Sequence, residues 1–165
     1  MKKQKGFTLL ELIVVMAVVS ILSVLAVPSF KTSMINNRLR TETMSMSSFF
    51  NLARIEALRR NDYVSICASA NGTSCGGTNY AVGALIFVDS SNSGLGVGSK
   101  IIRIKSQFTN SSDKAKGITR FTFSPTGAIN SGSLLVCHPG YDSYSIVVGA
   151  DGSIKNTNNL GDGSC

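Results

Sequence analysis

The sequence predicts an α+β chain: a long N-terminal α-helix packed against a C-terminal antiparallel, β-sandwich-like head. Three observations carry this expectation. Residues 7–27 are an apolar run interrupted by one acid. Residues 29–60 keep apolar side chains at spacings of three, four or seven, which is helical periodicity. From residue 62 onward, short segments rich in Val, Ile, Phe and Tyr alternate with Gly, Asn and Ser clusters, as strands and turns do.

The apolar run comes first. Lys2, Lys3 and Lys5 precede it, and none follows until Lys31. At ~1.5 Å per residue, Phe7 to Val27 spans roughly 30 Å, the thickness of a bilayer's hydrocarbon core. Lysines on the leading side predict a cytoplasmic N-terminus and a single-pass anchor. Glu11 breaks the pattern. A carboxylate inside such a span costs on the order of 3 kcal/mol on insertion scales, so it marks a function. Cleavage between Gly6 and Phe7 would create an α-amine one helical turn from that acid, and two charges that are costly alone are tolerated as a pair. The alternatives are an ordinary signal anchor or a cleaved secretory signal. The latter fits poorly, because the run exceeds the usual ~7–15 apolar residues.

The helix is expected to continue from Ser29 to about Arg60, with Pro28 as its one kink or break. Ile35, Leu39, Met46, Phe50, Ala53 and Ala57 form a single apolar stripe, and Asn36, Arg40, Ser47, Asn51 and Arg54 fill the polar faces. Arg59 and Arg60 place cations at the negative end of the helix dipole, and Asn61 supplies a cap. The stripe requires a cover. The expected strands are Tyr63–Ala68, Tyr80–Val88, Lys100–Ser106, Ile118–Ser124, Ser133–Cys137 and Tyr144–Val148. A tight turn at Asp151-Gly152 then leads into Ser153–Lys155. Residues 94–98, Gly-Leu-Gly-Val-Gly, suggest a mobile loop.

The chain of 165 residues is one domain plus an anchor, with a formal net charge of +7. Loss of residues 1–6 would remove three lysines and no acids, leaving 7 − 3 = +4 on side chains. That is mildly basic, short of a dedicated nucleic-acid binder. Cys67, Cys75, Cys137 and Cys165 all follow the anchor, and an even number in an exported domain suggests two disulfides. No Cys-x-x-Cys spacing supports zinc. Nothing assembles a catalytic constellation. His138 is the sole histidine, Asp89 and Asp151 read as turn acids, and the 94–98 loop lacks the Gly-Lys-Ser/Thr order of a phosphate loop. Asn71-Gly-Thr and Asn110-Ser-Ser fit the glycosylation acceptor pattern, which polar loops often produce. No enzyme activity, cofactor or metal is expected.

Lys5-Gly6-Phe7-Thr8-Leu9-Leu10-Glu11 resembles the class III signal of type IV pilins and type II secretion pseudopilins. The resemblance covers about the first sixty residues. It implies that a prepilin peptidase cuts after Gly6 and N-methylates Phe7. It also implies that Glu11 aligns the subunit in a filament and that Pro28 ends or bends the membrane half of the helix. The domain reading is then a cleaved leader at 1–6, a transmembrane and filament-core half-helix at 7–28, an amphipathic half at 29–61 and a periplasmic head at 62–165.

The head resembles the GspH/FimT/FimU group of minor pilins and pseudopilins. The residues that carry this are Gly83-Ala84-Leu85-Ile86-Phe87-Val88-Asp89, Ile101-Ile102-Arg103, Phe123-Ser124-Pro125-Thr126-Gly127 and the late Cys137…Cys165 pair. Ala84 stands where the group often has tryptophan. The resemblance implies two disulfides, Cys67–Cys75 and Cys137–Cys165, to which the chain-entropy model assigns about 2.5 and roughly 3.5 kcal/mol. DNA-binding members of the group carry a C-terminal Gly-Arg-x-Arg. The matching Gly152-Ser153-Ile154-Lys155 lacks both arginines, and serine makes no bidentate phosphate contact. Lys155, Lys114, Lys116 and Arg120 remain as candidates for a weak DNA contact.

The expected function is therefore a type IV minor pilin that takes part in pilus assembly as a priming or tip subunit. The alternatives are a GspH-type pseudopilin and a DNA-binding minor pilin for natural transformation. Expected partners are other major and minor pilins, the prepilin peptidase, the inner-membrane assembly platform and, before assembly, membrane lipid. DNA is a partner only in the last alternative.

Overall fold

The computed structural model of the chain describes residues 7–94, 99–159 and 165, with the side chains of residues 24–28 outside that description. The expected leader at 1–6 and most of the 94–98 loop lie outside the described residues. The chain divides into two compact units, Met1–Ile35 and Asn36–Cys165. Helix α1, Leu9–Arg60, contributes to both. In the first unit its large apolar side chains, from Leu9 to Leu22, are exposed. The helical assignment passes through position 28 without a break. An interior proline deletes one backbone hydrogen bond and so need not terminate a helix.

In the second unit the expected stripe becomes the core. Leu39, Met46, Phe50, Ala53 and Ala57 are fully buried. Ser47, expected on a polar face, is also buried, and its hydroxyl donates to Asn156 Oδ1 at 2.6 Å. The helix ends at Asn61, whose φ of 51° lies in the left-handed region that asparagine tolerates. The Asp62 N–H then reaches the Ala57 carbonyl at 3.3 Å and the Asn61 N–H reaches that of Leu58 at 3.4 Å. This paired closure satisfies carbonyls that the helix would otherwise leave open.

Eight strands follow: β1 Val64–Ala68, β2 Ala84–Val88, β3 Ile101–Lys105, β4 Lys114–Lys116, β5 Arg120–Phe123, β6 Gly132–Cys137, β7 Ser143–Val148 and β8 Ile154–Asn159. They form two antiparallel four-stranded sheets, ordered β3-β2-β1-β5 and β4-β6-β7-β8. In the first sheet Ile86, Ile66 and Phe121 stand in register. The Phe50 ring meets Phe121 edge-on, with centroids 4.8 Å apart, so this row faces α1. Alternate residues face away, where Cys67, Leu85 and Phe87 form a second buried cluster. In the second sheet Leu134, Val136, Ile146 and Val148 supply the buried face.

Three expectations change. The strand foreseen at Tyr80–Val88 splits into a 3₁₀ turn, Tyr80–Val82, and β2. Gly83 divides them at φ 122°, and a side chain there would lie 2.6 Å from the Ser69 carbonyl. The short Ser153–Lys155 strand becomes β8, extended by six register pairs with β7. Strand β4 was not foreseen, because Lys-Ala-Lys carries no strand pattern. It forms because β6 pairs with it and because the Asn79 side chain accepts from the Ala115 N–H.

Tyr80 is fully buried and donates its hydroxyl to the Ile118 carbonyl at 2.9 Å. Burial raises its pKa well above the ordinary value of 10.0. The folded state therefore holds this proton more tightly than the unfolded chain does, so its contribution to stability is complete below about pH 10 and declines above it. Tyr144 shifts in the same direction, also chiefly through burial. Tyr80→Phe should flatten the alkaline loss of stability while costing about 1 kcal/mol at neutral pH for the lost hydrogen bond. Urea unfolding between pH 8 and 11 measures both effects.

Candidate functional site

The described chain enters α1 at Phe7-Thr8. Thr8 caps the helix: its Oγ1 accepts from the Glu11 N–H at 3.2 Å, and its carbonyl accepts from the Leu12 N–H at 3.2 Å. Thr8 and Glu11 thus have the spacing of a capping box, and the Glu11 carboxylate lies in the first turn, where the helix dipole favours an anion. This helix-starting role was missed in the sequence, although Thr-x-x-Glu ahead of an apolar run is its signal. Phe7 is 83% exposed and Glu11 is exposed as well. Gly6 lies outside the described residues, as does the side chain of Pro28. Among the described residues, no helix is both long and apolar enough to cross a membrane.

The cysteines are joined as Cys67–Cys75 and Cys137–Cys165, each with Cα atoms 5.6 Å apart. The first bond ties the loop after β1 back to that strand. The second ties the chain's last residue to the end of β6. No thiolate is left to bind a metal.

The four candidate DNA-contact residues do not converge. Lys155 stands on β8, and Lys114 and Lys116 on β4, the opposite edge of the same sheet. Three strand spacings separate those edges by about 14 Å. The Lys116 ammonium donates to the Cys165 carbonyl at 2.5 Å. Arg120 belongs to the other sheet, where it lies 3.5 Å from Asp89 and donates to the Asn92 carbonyl at 3.1 Å. Gly152 has φ 76°, and a Cβ there would collide with the Gly127 carbonyl, so backbone packing alone demands this glycine. Beside it, hydrogen bonds from Ser153 hold the Asp151 carboxyl below its usual range, and that anion disfavours phosphate.

Long-range contacts assemble a polar cluster absent from the sequence pattern. Asp113 is buried and receives Nε and Nη2 of Arg38 at 2.8 and 2.9 Å. His138 Nδ1 lies 2.7 Å from Oδ1, the same carboxylate oxygen that receives Arg38 Nη2. The hydrogen bond from Arg38 to Asp113 raises the already high guanidinium pKa. The cluster ties α1 to the approach of β4 and the end of β6. His138, directly after the end of β6, is a partly buried member of this hydrogen-bonded cluster. Asp89 follows β2 as a turn acid, but its carboxylate is buried and accepts from Ser65 Oγ at 2.7 Å and the Gly94 N–H at 2.9 Å. Asn71 and Asn110 both turn their amide oxygens onto nearby backbone N–H groups, which is ordinary turn chemistry.

Asp113→Asn should lower stability by about 3 kcal/mol, the low end for breaking a buried ion pair, since Arg38 keeps some solvent contact. Denaturant titration of the detergent-solubilised protein checks this. Asp151→Asn in the exposed turn should have a much smaller effect.

A family model described as Type II transport protein GspH matches residues 42–152. A model of the prokaryotic N-terminal methylation motif matches residues 1–27. Among solved structures, the type IV minor pilin FimU of Pseudomonas aeruginosa is similar in two crystal forms. One has 20% identity and a TM-score of 0.59, covering 73% of this chain and 88% of that one. The other has 19% identity and a TM-score of 0.57, covering 72% and 91%. These likenesses establish a common fold: a helix packed on an antiparallel β head.

Proposed function

This chain belongs to the GspH family of type II transport proteins, and we propose that it is a minor pilin, a structural subunit that helps assemble a type IV pilus or its tip complex. The observation that carries the reading is the helix start. A Gly6-Phe7 junction lies inside the matched methylation motif, and an acid follows one turn into a helix that Thr8 caps. In this reading a prepilin peptidase cleaves after Gly6 and methylates the Phe7 amine. The Glu11 carboxylate then pairs with that amine, on its own chain or on a neighbour, and the exposed apolar side chains of the first unit pack against other pilin helices. Before assembly the same segment, extended to Pro28, sits in the inner membrane with the head in the periplasm. Cys67–Cys75 and Cys137–Cys165 suit that oxidising compartment. The partners are other pilins, the peptidase and the inner-membrane assembly platform.

A second reading, a type II secretion pseudopilin, is favoured by the description of the family model itself. It uses the same residues in a different machine. The DNA-uptake reading draws no support from the separated lysines.

Intact-mass measurement of membrane-extracted protein should show loss of residues 1–6 and gain of one methyl group, and a retained leader would remove the processing step. Two Glu11 variants separate charge pairing from helix capping. Glu11→Gln keeps capping-box chemistry but removes the charge. It should enter filaments as poorly as Glu11→Ala, measured on sheared pili by immunoblot. Normal incorporation of the glutamine variant would reduce Glu11 to a capping residue.

A further inference from the structure

A cleft of about 810 Å³ opens on the face of the first sheet that turns away from α1. Its floor includes Cys67, Arg120 and Thr122, which alternate with the residues facing the helix. Its lining runs from Ile118 to Ser124 along β5, about 20 Å at ~3.3 Å per residue. Volume and length suit a linear ligand of several units rather than a single small molecule.

The chemistry of the lining narrows the class. Among the described residues, Arg120 is the only charged side chain on it, and Asp89 stands 3.5 Å behind, so this lining is neutral overall. Arg120 gives one N–H to the Asn92 carbonyl and faces Asp89 with another, and a guanidinium carries five N–H donors in all. Thr119 adds an exposed hydroxyl. Tyr63, Ile118 and Ile129 supply apolar surface.

A peptide would ordinarily bind beside such a strand by adding to the sheet edge. That route is closed. The Asn130 amide donates to the Arg120 carbonyl at 3.0 Å and accepts from the Thr122 N–H at 2.7 Å, and the Ser124 N–H is taken by the Ala128 carbonyl at 2.7 Å. Recognition here must come from side-chain donors and hydroxyls above apolar patches. Such a surface complements a chain of rings with hydroxyl rims and apolar faces. The walls are also pre-organised, one by the Cys67–Cys75 bond and the other by Asp89 holding the Gly94 N–H, which lowers the cost of ordering on binding.

We propose that this cleft binds a neutral linear oligosaccharide, with Arg120 and Thr119 donating to its hydroxyls and Tyr63 contacting a ring face.

The test uses the full-length protein in a sugar-free zwitterionic detergent, with binding read by saturation-transfer NMR and calorimetry. The probes are linear oligomers of glucose and of N-acetylglucosamine, an acidic galacturonate oligomer and an uncharged extended peptide. At least one neutral saccharide should bind. Thr119→Trp, which fills the cleft from an exposed position, and Arg120→Gln should each weaken binding about tenfold or more. Lys155→Ala, on the other sheet, should leave it unchanged. Circular dichroism checks that each variant is folded. Should Arg120→Gln unfold through loss of its Asp89 contact, Thr119→Trp decides alone. The proposal is overturned if no neutral saccharide binds, if the acidic oligomer or the peptide binds better, or if Thr119→Trp has no effect.

Discussion

The head depends on one packing contact, the apolar stripe of α1 laid across the row Ile86, Ile66 and Phe121. All five residues of β1 are buried, so this strand needs cover on both faces. On one face the cover is the helix, and the edge-to-face Phe50–Phe121 pair sits at its centre. Burying a phenylalanine contributes roughly 2–3 kcal/mol, comparable to a quarter or more of a domain's net stability. Tyr80 extends the aromatic cluster, with its ring centroid 5.8 Å from that of Phe121. Its position follows from the break at Gly83, which separates the 3₁₀ turn from the start of β2 and lets that turn bring Tyr80 inward. The helix is thus part of the domain's interior, which is why the compact unit begins at Asn36 rather than at the first strand.

An exported head must also stay unaggregated while it waits for partners, and open sheet edges threaten that. Two edges are closed by side-chain amides. Asn130 occupies the hydrogen-bonding positions beside β5, and Asn79 does the same for β4 through the Ala115 N–H. Strand β8 is defended differently. Lys155, Asn156, Thr157 and Asn158 are exposed and polar, giving a partner strand no apolar surface to bury. Disulfides complement these devices by tying the loop after β1 to that strand and Cys165 to the end of β6.

What was legible in the sequence follows the range of the interactions concerned. The helix, its stripe and its asparagine cap arise from neighbours a few residues apart, and all were readable. Most strands announced themselves through Val, Ile and Phe. Strand β4 did not, because its stability belongs to its partner β6 rather than to Lys-Ala-Lys. At the N-terminus, the methylation-motif resemblance could be read from Gly6, Phe7 and Glu11, yet the same short stretch hid the capping role of Thr8. The cluster of Arg38, Asp113 and His138 was beyond reach, since its members stand 75 and 25 residues apart in sequence. The placement of the four cations offered for a weak DNA contact could not be read for the complementary reason. Lys114 and Lys155 are similar in type, but strand order puts them on opposite edges.

The two roles open to Glu11 rest on different physics, and this bears on how a filament subunit can be specified. A capping acid acts on its own helix and is worth about 1 kcal/mol or less near water. A charge pair with a neighbour's amine, formed away from water, is worth more, because either charge alone is costly there. The first role would operate in every folded copy, whereas the second would exist only once subunits of the proposed filament meet. The same carboxylate can therefore pre-form the helix start before assembly and reward the correct axial register during it. An amide at this position retains only the first function. In the proposed assembly, selectivity for register would need the charge itself, and the Thr8 cap starts the helix turn that carries it.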